Sequence, residues 1–191
     1  KENNIAAWLT PALNIHRSPL CGRNFEYYSE DPLLAGVLAG AMVKGIQSQG
    51  VAATVKHFAL NNKETDRKHS DSRVSERAAR EIYLKAFEYV IKGAKPWAVM
   101  SSYNIINGCY ASENKELLED ILRDEWGFDG MVTTDWWTLG EHYKEVKAGN
   151  DMKMACGDPK RLKEAMDQGL LTRQDLEHCA ERVLNLILKL D

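Results

Sequence analysis

From residue 31 onward the chain alternates between stretches whose apolar residues recur at helical spacing and short runs that are apolar throughout. This exchange limits the possible folds more than any other feature. Asp31 caps and Pro32 opens a helix in which Leu34, Val37, Leu38, Ala41, Met42 and Gly45 share a face up to Gly50. The run VAATV (51–55) then reads as a buried strand. Ser75 caps a second helix with Ala79, Ile82, Tyr83, Ala86, Phe87, Val90 and Ile91 on one side, closed by Gly93, and WAVMS (97–101) is the strand after it. Asn114 begins a third helix, with Leu117, Leu118, Ile121, Leu122 and Trp126 inward and Gly127 at its end, followed by the strand MVTT (131–134). A helix around 138–148, a short strand at 150–154 and a helix over 159–168 continue the pattern. Thr172 and Asp175 form a capping box ahead of a terminal amphipathic helix.

Strands apolar on both faces, separated by helices, require a parallel sheet covered by helices. That leaves a doubly wound open sheet or a (β/α) barrel. The nucleotide-binding open sheet needs a glycine-rich first turn, and neither GxGxxG nor GxxxxGK[ST] occurs. Each strand instead runs into polar chemistry. LTPALNI (9–15) leads to His16, Arg17 and Arg23; VAATV to Lys56 and His57; WAVMS to Ser102, Tyr103 and Asn104; MVTT to Asp135. Polar groups gathered at the carboxyl ends of successive strands make the rim of a barrel site. About five strands are visible, whereas a closed barrel has eight and takes about 250 residues. The expectation is an α/β fold, the C-terminal portion of a partial TIM-type (β/α) barrel with parallel strands and alternating helices, residues 1–191 forming one single-domain fragment.

With 44% apolar residues the chain has enough to bury a core. Its 25 basic and 28 acidic residues give a net charge of -3 without a basic block, which disfavours nucleic acid and anionic membrane as partners. No run approaches the ~18 apolar residues of a membrane span. KENNIAAWLTPAL lacks the layout of a secretion signal. The cysteines at 21, 109, 156 and 179 lie far apart, as expected of thiols in a reducing, cytoplasmic setting, although a signal removed earlier leaves secretion open. No His and carboxylate cluster has ligand spacing, so no metal and no cofactor is implied.

The segments CGRNFEYYSEDPLLAG (21–36), QSQGVAATVKHFALNNKETDR (47–67), SERAAREIYLKAFE (75–88), MSSYNIINGCYASEN (100–114), LLEDILRDEWGFDG (117–130) and TTDWW (133–137) together closely resemble the catalytic barrel of glycoside hydrolase family 3, the β-glucosidase-like enzymes. The resemblance covers about residues 8–190. It implies a retaining exo-β-glycosidase acting on a β-glucoside or oligosaccharide, with Asp135 as nucleophile. Such an enzyme needs an ionised carboxylate ~5 to 5.5 Å from a second, protonated one. Lys56, and Arg23 across the rim, are expected to hold the Asp135 pKa down. The resemblance further assigns Lys56, His57 and Arg23 to sugar hydroxyls, Met100 and Tyr103 to the pocket wall, and Trp136 to stacking on the sugar. Trp137 is expected in the core, and Asn61, Glu64 and Arg67 are expected to shape the loop after the Lys-His pair.

Two parts of the family's site have no counterpart in these residues. One is an early-strand aspartate in a motif resembling DGPxGxR; the other is the acid/base glutamate, which such β-glucosidases take from an α/β sandwich domain. The expected partners are therefore the complementary barrel half and that sandwich domain, or a second copy through open barrel edges. The isolated chain is expected to be nearly inactive. Within the same family β-xylosidase and β-N-acetylglucosaminidase are the alternatives. The latter needs a His-Asp dyad between glycines; DRKHSD (66–71) has His69 and Asp71 but not the glycines. Outside the enzyme class, a sugar-binding module without catalysis is the competing reading.

Overall fold

The computed structural model describes residues 2–190. Its centre is a four-stranded parallel sheet of β1 (Ala7–Trp8), β2 (Ala52–Phe58), β4 (Ala98–Ser101) and β7 (Met131–Thr134), each beside the next. Between them run helices that cover one face: α1 (Pro32–Gln47), the pair α2 (Glu76–Ala78) and α3 (Lys85–Ala94), and a ten-residue π-type helix over Glu116–Glu125. Consecutive parallel strands joined by outer helices are part of a (β/α) barrel, as expected.

The caps form where the side chains dictate. Asp31 accepts from the amides of Leu33 and Leu34, Ser75 from that of Ala78, and Asn114 from that of Leu117. At the last helix, α6 (Arg173–Leu190), Thr172 and Asp175 bond reciprocally as a capping box. Between β7 and α6 lie α4 (His142–Ala148) and α5 (Pro159–Asp167). The main core joins α1, α3 and the π-type helix to the outward face of the sheet, with Phe58 edge-on to both Phe87 and Trp126.

Three expectations change. No regular strand forms over 9–15; the regular pairing is at Ala7–Trp8, just before it. Pro11, which has no amide to donate, interrupts it, although Thr10, Pro11 and Leu13 still bond the backbone of β2. The strand expected at 150–154 shrinks to one bridge between Thr133 and Met152, because the Asp151 side chain takes the Val132 amide that a neighbouring strand would have claimed. A small sheet of β3 (Asp71–Ser72), β5 (Ile105–Ile106) and β6 (Cys109–Tyr110) was not anticipated. Its hairpin turns at Asn107 and Gly108, both at positive φ, which is the Asn-Gly signature of a tight β-turn.

Candidate active site

The carboxyl ends of β2, β4 and β7 meet at one rim. In a regular strand the neighbours Lys56 and His57 would point to opposite faces. The pairing of β2 with β4 loses register between Val55 and Phe58, which breaks that alternation where both side chains are needed. Asn14, on the segment after β1, fixes the His57 backbone, its amide nitrogen donating to the His57 carbonyl (2.9 Å) and its oxygen accepting the His57 amide (2.8 Å). The ring is only 1% exposed residue-wide, and burial together with the nearby Arg23, Lys56 and Arg67 charges drives its pKa well below the usual range. It is a neutral imidazole.

Asp135 follows β7 directly, and its amide donates to the Ser101 carbonyl on β4. Its Oδ1 accepts the Trp136 amide at 2.8 Å, while Oδ2 has no hydrogen-bond partner and lies 3.9 Å from His57 Nε2. His57 Nδ1 is unpartnered as well. Two adjoining side chains at a barrel mouth, each with a buried polar atom left without a partner, are a rare and costly arrangement unless a ligand completes it.

The carboxyl pKa departs from expectation. Burial raises it above the ordinary 3.8, opposed by the Trp136 amide, the Tyr103 phenol and the Arg67 and Arg23 charges. The expected depression by Lys56 and Arg23 is therefore corrected: desolvation outweighs the cations, and the leading cations are Arg67 and Arg23, not Lys56. Its ammonium is turned to Glu26 Oε2 at 3.5 Å, and Arg23 bonds the other oxygen of the same glutamate. Arg23 thus locks its loop while its charge still reaches Asp135.

Tyr103 is buried, and burial and the Asp135 charge push its phenol up to about 12, so it stays protonated, near enough to act on the Asp135 charge but making no hydrogen bond to Oδ2. Met100 lies on the face of β4 opposite Val99, which belongs to the helix-side core, and so turns to the barrel interior. Trp136 is half-buried beside the carboxylate it bonds. Trp137 is not in the core: it is 58% exposed, at φ +52, with its amide on the Met154 carbonyl and its own carbonyl holding Lys68 Nζ at 2.9 Å. Pinned on both sides, this backbone directs the indole outward.

Arg67 was assigned only to loop shape, and it does bond Glu64 at 2.7 Å, with Asn61 bonding the same carboxylate. It also lies 4.4 Å over the Tyr103 ring, and its charge acts on both Asp135 and His57. It belongs to the site. No spacing could have revealed this, because the loop from β2 returns over β4 only in three dimensions. His16 braces the loop by bonding the Asn24 carbonyl; Arg17 turns away to the Tyr83 hydroxyl; Ser102 and Asn104 are taken up by backbone and by Ser72. His69 pairs with Asp66 in the open, while Asp71 pairs with Arg73, so the dyad of the N-acetylglucosaminidase alternative does not form.

Residues 2–186 match the glycosyl hydrolase family 3 N-terminal domain. The chain belongs to glycosyl hydrolase family 3. Its sequence is 67% identical over 177 residues to beta-glucosidase A of Butyrivibrio fibrisolvens, covering 93% of this chain and 21% of that protein. It is 46% identical to an exo-alpha-(1->6)-L-arabinopyranosidase of Bifidobacterium longum, covering 98% and 25%. The solved structure of beta-glucosidase 3B from Thermotoga neapolitana in complex with glucose superposes with a TM-score of 0.93 at 49% identity, over 96% of this chain and 27% of that one. The chain thus spans about a fifth to a quarter of the length of these family 3 relatives, and its parallel sheet is part of their barrel domain.

Proposed function

We propose that this chain supplies the nucleophile, Asp135, of a retaining exo-β-glucosidase. The observation that carries the reading is the unpartnered Asp135 Oδ2, buried at the rim 3.9 Å from Nε2 of a neutral imidazole whose Nδ1 is also without a partner. In the first step that oxygen bonds the anomeric carbon, and the aglycone leaves with the electron pair of the broken bond and a proton from the acid. In the second, water adds to the same carbon, gives its proton to the now basic partner and returns Asp135 as carboxylate. Lys56, His57, Arg23 and Arg67 hold sugar hydroxyls; Met100, Tyr103 and Trp136 wall the pocket.

The acid/base carboxyl comes from another part of the parent protein. Among the described residues the rim carboxylates Glu26 and Glu64 are both held by cations, which suits acceptors and not proton donors. The rest of the barrel continues the sheet beyond β1 and beyond the 150–154 segment that lines β7, and the chain alone turns over slowly. A stable dimer of the isolated chain in light scattering would point to pairing through those edges instead.

A 2-fluoro glucoside with a good leaving group, incubated with the complete protein, tests the assignment. A mass shift on the peptide containing residues 131–137 is expected. Glucose binding with no labelled peptide would instead favour the sugar-binding module. The similarity to an arabinopyranosidase keeps a second glycone in view. A panel of nitrophenyl glycosides that includes arabinopyranoside and xyloside separates these, with the glucoside expected fastest.

A further inference from the structure

Behind the Asp135 loop lies an ion pair that the reaction itself does not use. Glu145 on α4 is 0% exposed, and the Lys153 side chain beside it is almost as deeply buried. Removing two charges from water costs several kcal/mol per ion, so such a pair is weakly justified by stability alone and better explained by the geometry it imposes. Here that geometry is specific. Lys153 Nζ bonds Glu145 Oε2, the Thr138 hydroxyl at 3.2 Å and the Gly140 carbonyl at 2.9 Å. The other carboxylate oxygen accepts from the Ser112 hydroxyl at 2.9 Å, which ties the pair to the segment after β6. Asn150, also buried, bonds the Ser112 and Glu145 carbonyls and takes the Ser101 hydroxyl at the end of β4.

The loop is wrapped tightly around this pair. A Cβ at Gly140 would lie 2.6 Å from Glu145 Oε1, so only glycine lets the loop close on the carboxylate. The residues flanking Lys153 grip the nucleophile segment on both sides of Asp135. The Thr134 amide donates to the Met152 carbonyl, the Met154 amide to the Thr134 hydroxyl, and the Trp137 amide to the Met154 carbonyl. Both ligands of Lys153 other than the Glu145 carboxylate, and both residues gripped by its neighbours, fall within residues 134–140.

We propose that Lys153, held by Glu145, is a positioning residue for the nucleophile: the buried pair clamps residues 138–140 while its neighbours hold 134 and 137, so that Asp135 Oδ2 is fixed at the rim without a hydrogen bond of its own. Immobility of that oxygen comes from the loop backbone, which leaves its lone pairs free for chemistry. The proposal rests on the reading of Asp135 as nucleophile.

The test uses the complete protein and follows the rate at which a 2-fluoro glucoside labels the 131–137 peptide, alongside the inhibition constant for glucose and the melting temperature. Lys153→Met is expected to slow labelling about 10- to 100-fold, the range in which a small misplacement of a reacting group acts. The glucose inhibition constant should move by less than about threefold, because the hydroxyl-gripping residues lie outside residues 134–140. Thr138→Val removes one tether and leaves the ion pair; about a threefold slowing is expected, and it provides the same test where Lys153→Met fails to fold. Labelling at the wild-type rate in a folded variant overturns the clamp. Parallel loss of labelling and glucose binding also overturns it, since that marks general disruption. Absence of label in the wild-type protein overturns the nucleophile reading instead, so the two failures are distinct.

Discussion

Asp135 and Asp151 are both buried aspartates next to β7, and both have pKa values raised above 3.8 chiefly by burial, yet their surroundings are opposite. Asp151 is fully answered: Oδ2 accepts from Arg123 at 3.0 Å and from the Val132 amide at 2.7 Å, and Oδ1 from Arg182 at 3.2 Å. It joins the start of β7 to the π-type helix and α6. Asp135 has one oxygen bonded and one bare, with its cations held at a distance. One end of the strand uses its carboxylate to hold elements together, and the other keeps a carboxylate unspent. In a packed interior, an unsatisfied acceptor marks a place where something else binds.

Substitution separates the two aspartates most sharply. Asp135→Ala in the complete protein is expected to lower kcat/KM for an aryl glucoside by about 10⁴-fold or more, with little change in melting temperature; a loss under about tenfold would remove it from the chemistry. Asp151→Ala should do the reverse. It takes the nearer carboxylate from buried Arg123, which keeps Glu119 at 3.5 Å, and leaves the Val132 amide unanswered; it is expected to cost about 3 kcal/mol in denaturant unfolding, while 2-fluoro glucoside labelling per folded molecule stays near wild type.

A smaller effect separates charge from packing. Arg67→Met keeps bulk over the Tyr103 ring but removes a cation that opposes the upward shift of Asp135. The acid limb of kcat/KM should move to higher pH, and the plateau should fall about tenfold. A rate–pH profile that keeps its limb in place would return Arg67 to a purely structural role.

The smallest effect concerns linkage. A carboxyl whose pKa is raised on folding favours the folded protein when protonated; that contribution is present below the unfolded pKa and lost as pH rises through the folded one. Asp135 therefore opposes folding near neutral pH. Asp135→Asn is expected to stabilise the protein by about 1 kcal/mol there, with the difference vanishing as pH falls below the ordinary aspartate range. Urea midpoints at the two pH values check the sign.

Much of this was readable in order along the chain. Asp31, Ser75, Asn114 and Thr172 announced their helices because a cap is a contact between residues two or three apart. Asp135, Lys56 and His57 were legible as a site because each ends an apolar run, and the parallel arrangement brings such ends to one rim. The Asn107-Gly108 hairpin is legible too, from the Asn-Gly pair alone. Arg67, Asn14 and the Glu145–Lys153 pair were not. Each acts across 30 or more residues or through a loop that folds back, and nothing in local spacing encodes that return.

The sequence by itself determined the order of helices and strands, their parallel layout and the identity of the carboxylate at the rim, since periodicity, caps and motif order are properties of neighbours. Only the tertiary structure decided the state of that carboxylate. Whether burial or the cations prevail, which glutamate captures Lys56, and whether Trp137 turns inward or out are sums over atoms from several strands and loops. Those sums change sign with a few ångströms of placement, because desolvation and Coulomb attraction oppose each other at nearly equal strength inside a protein.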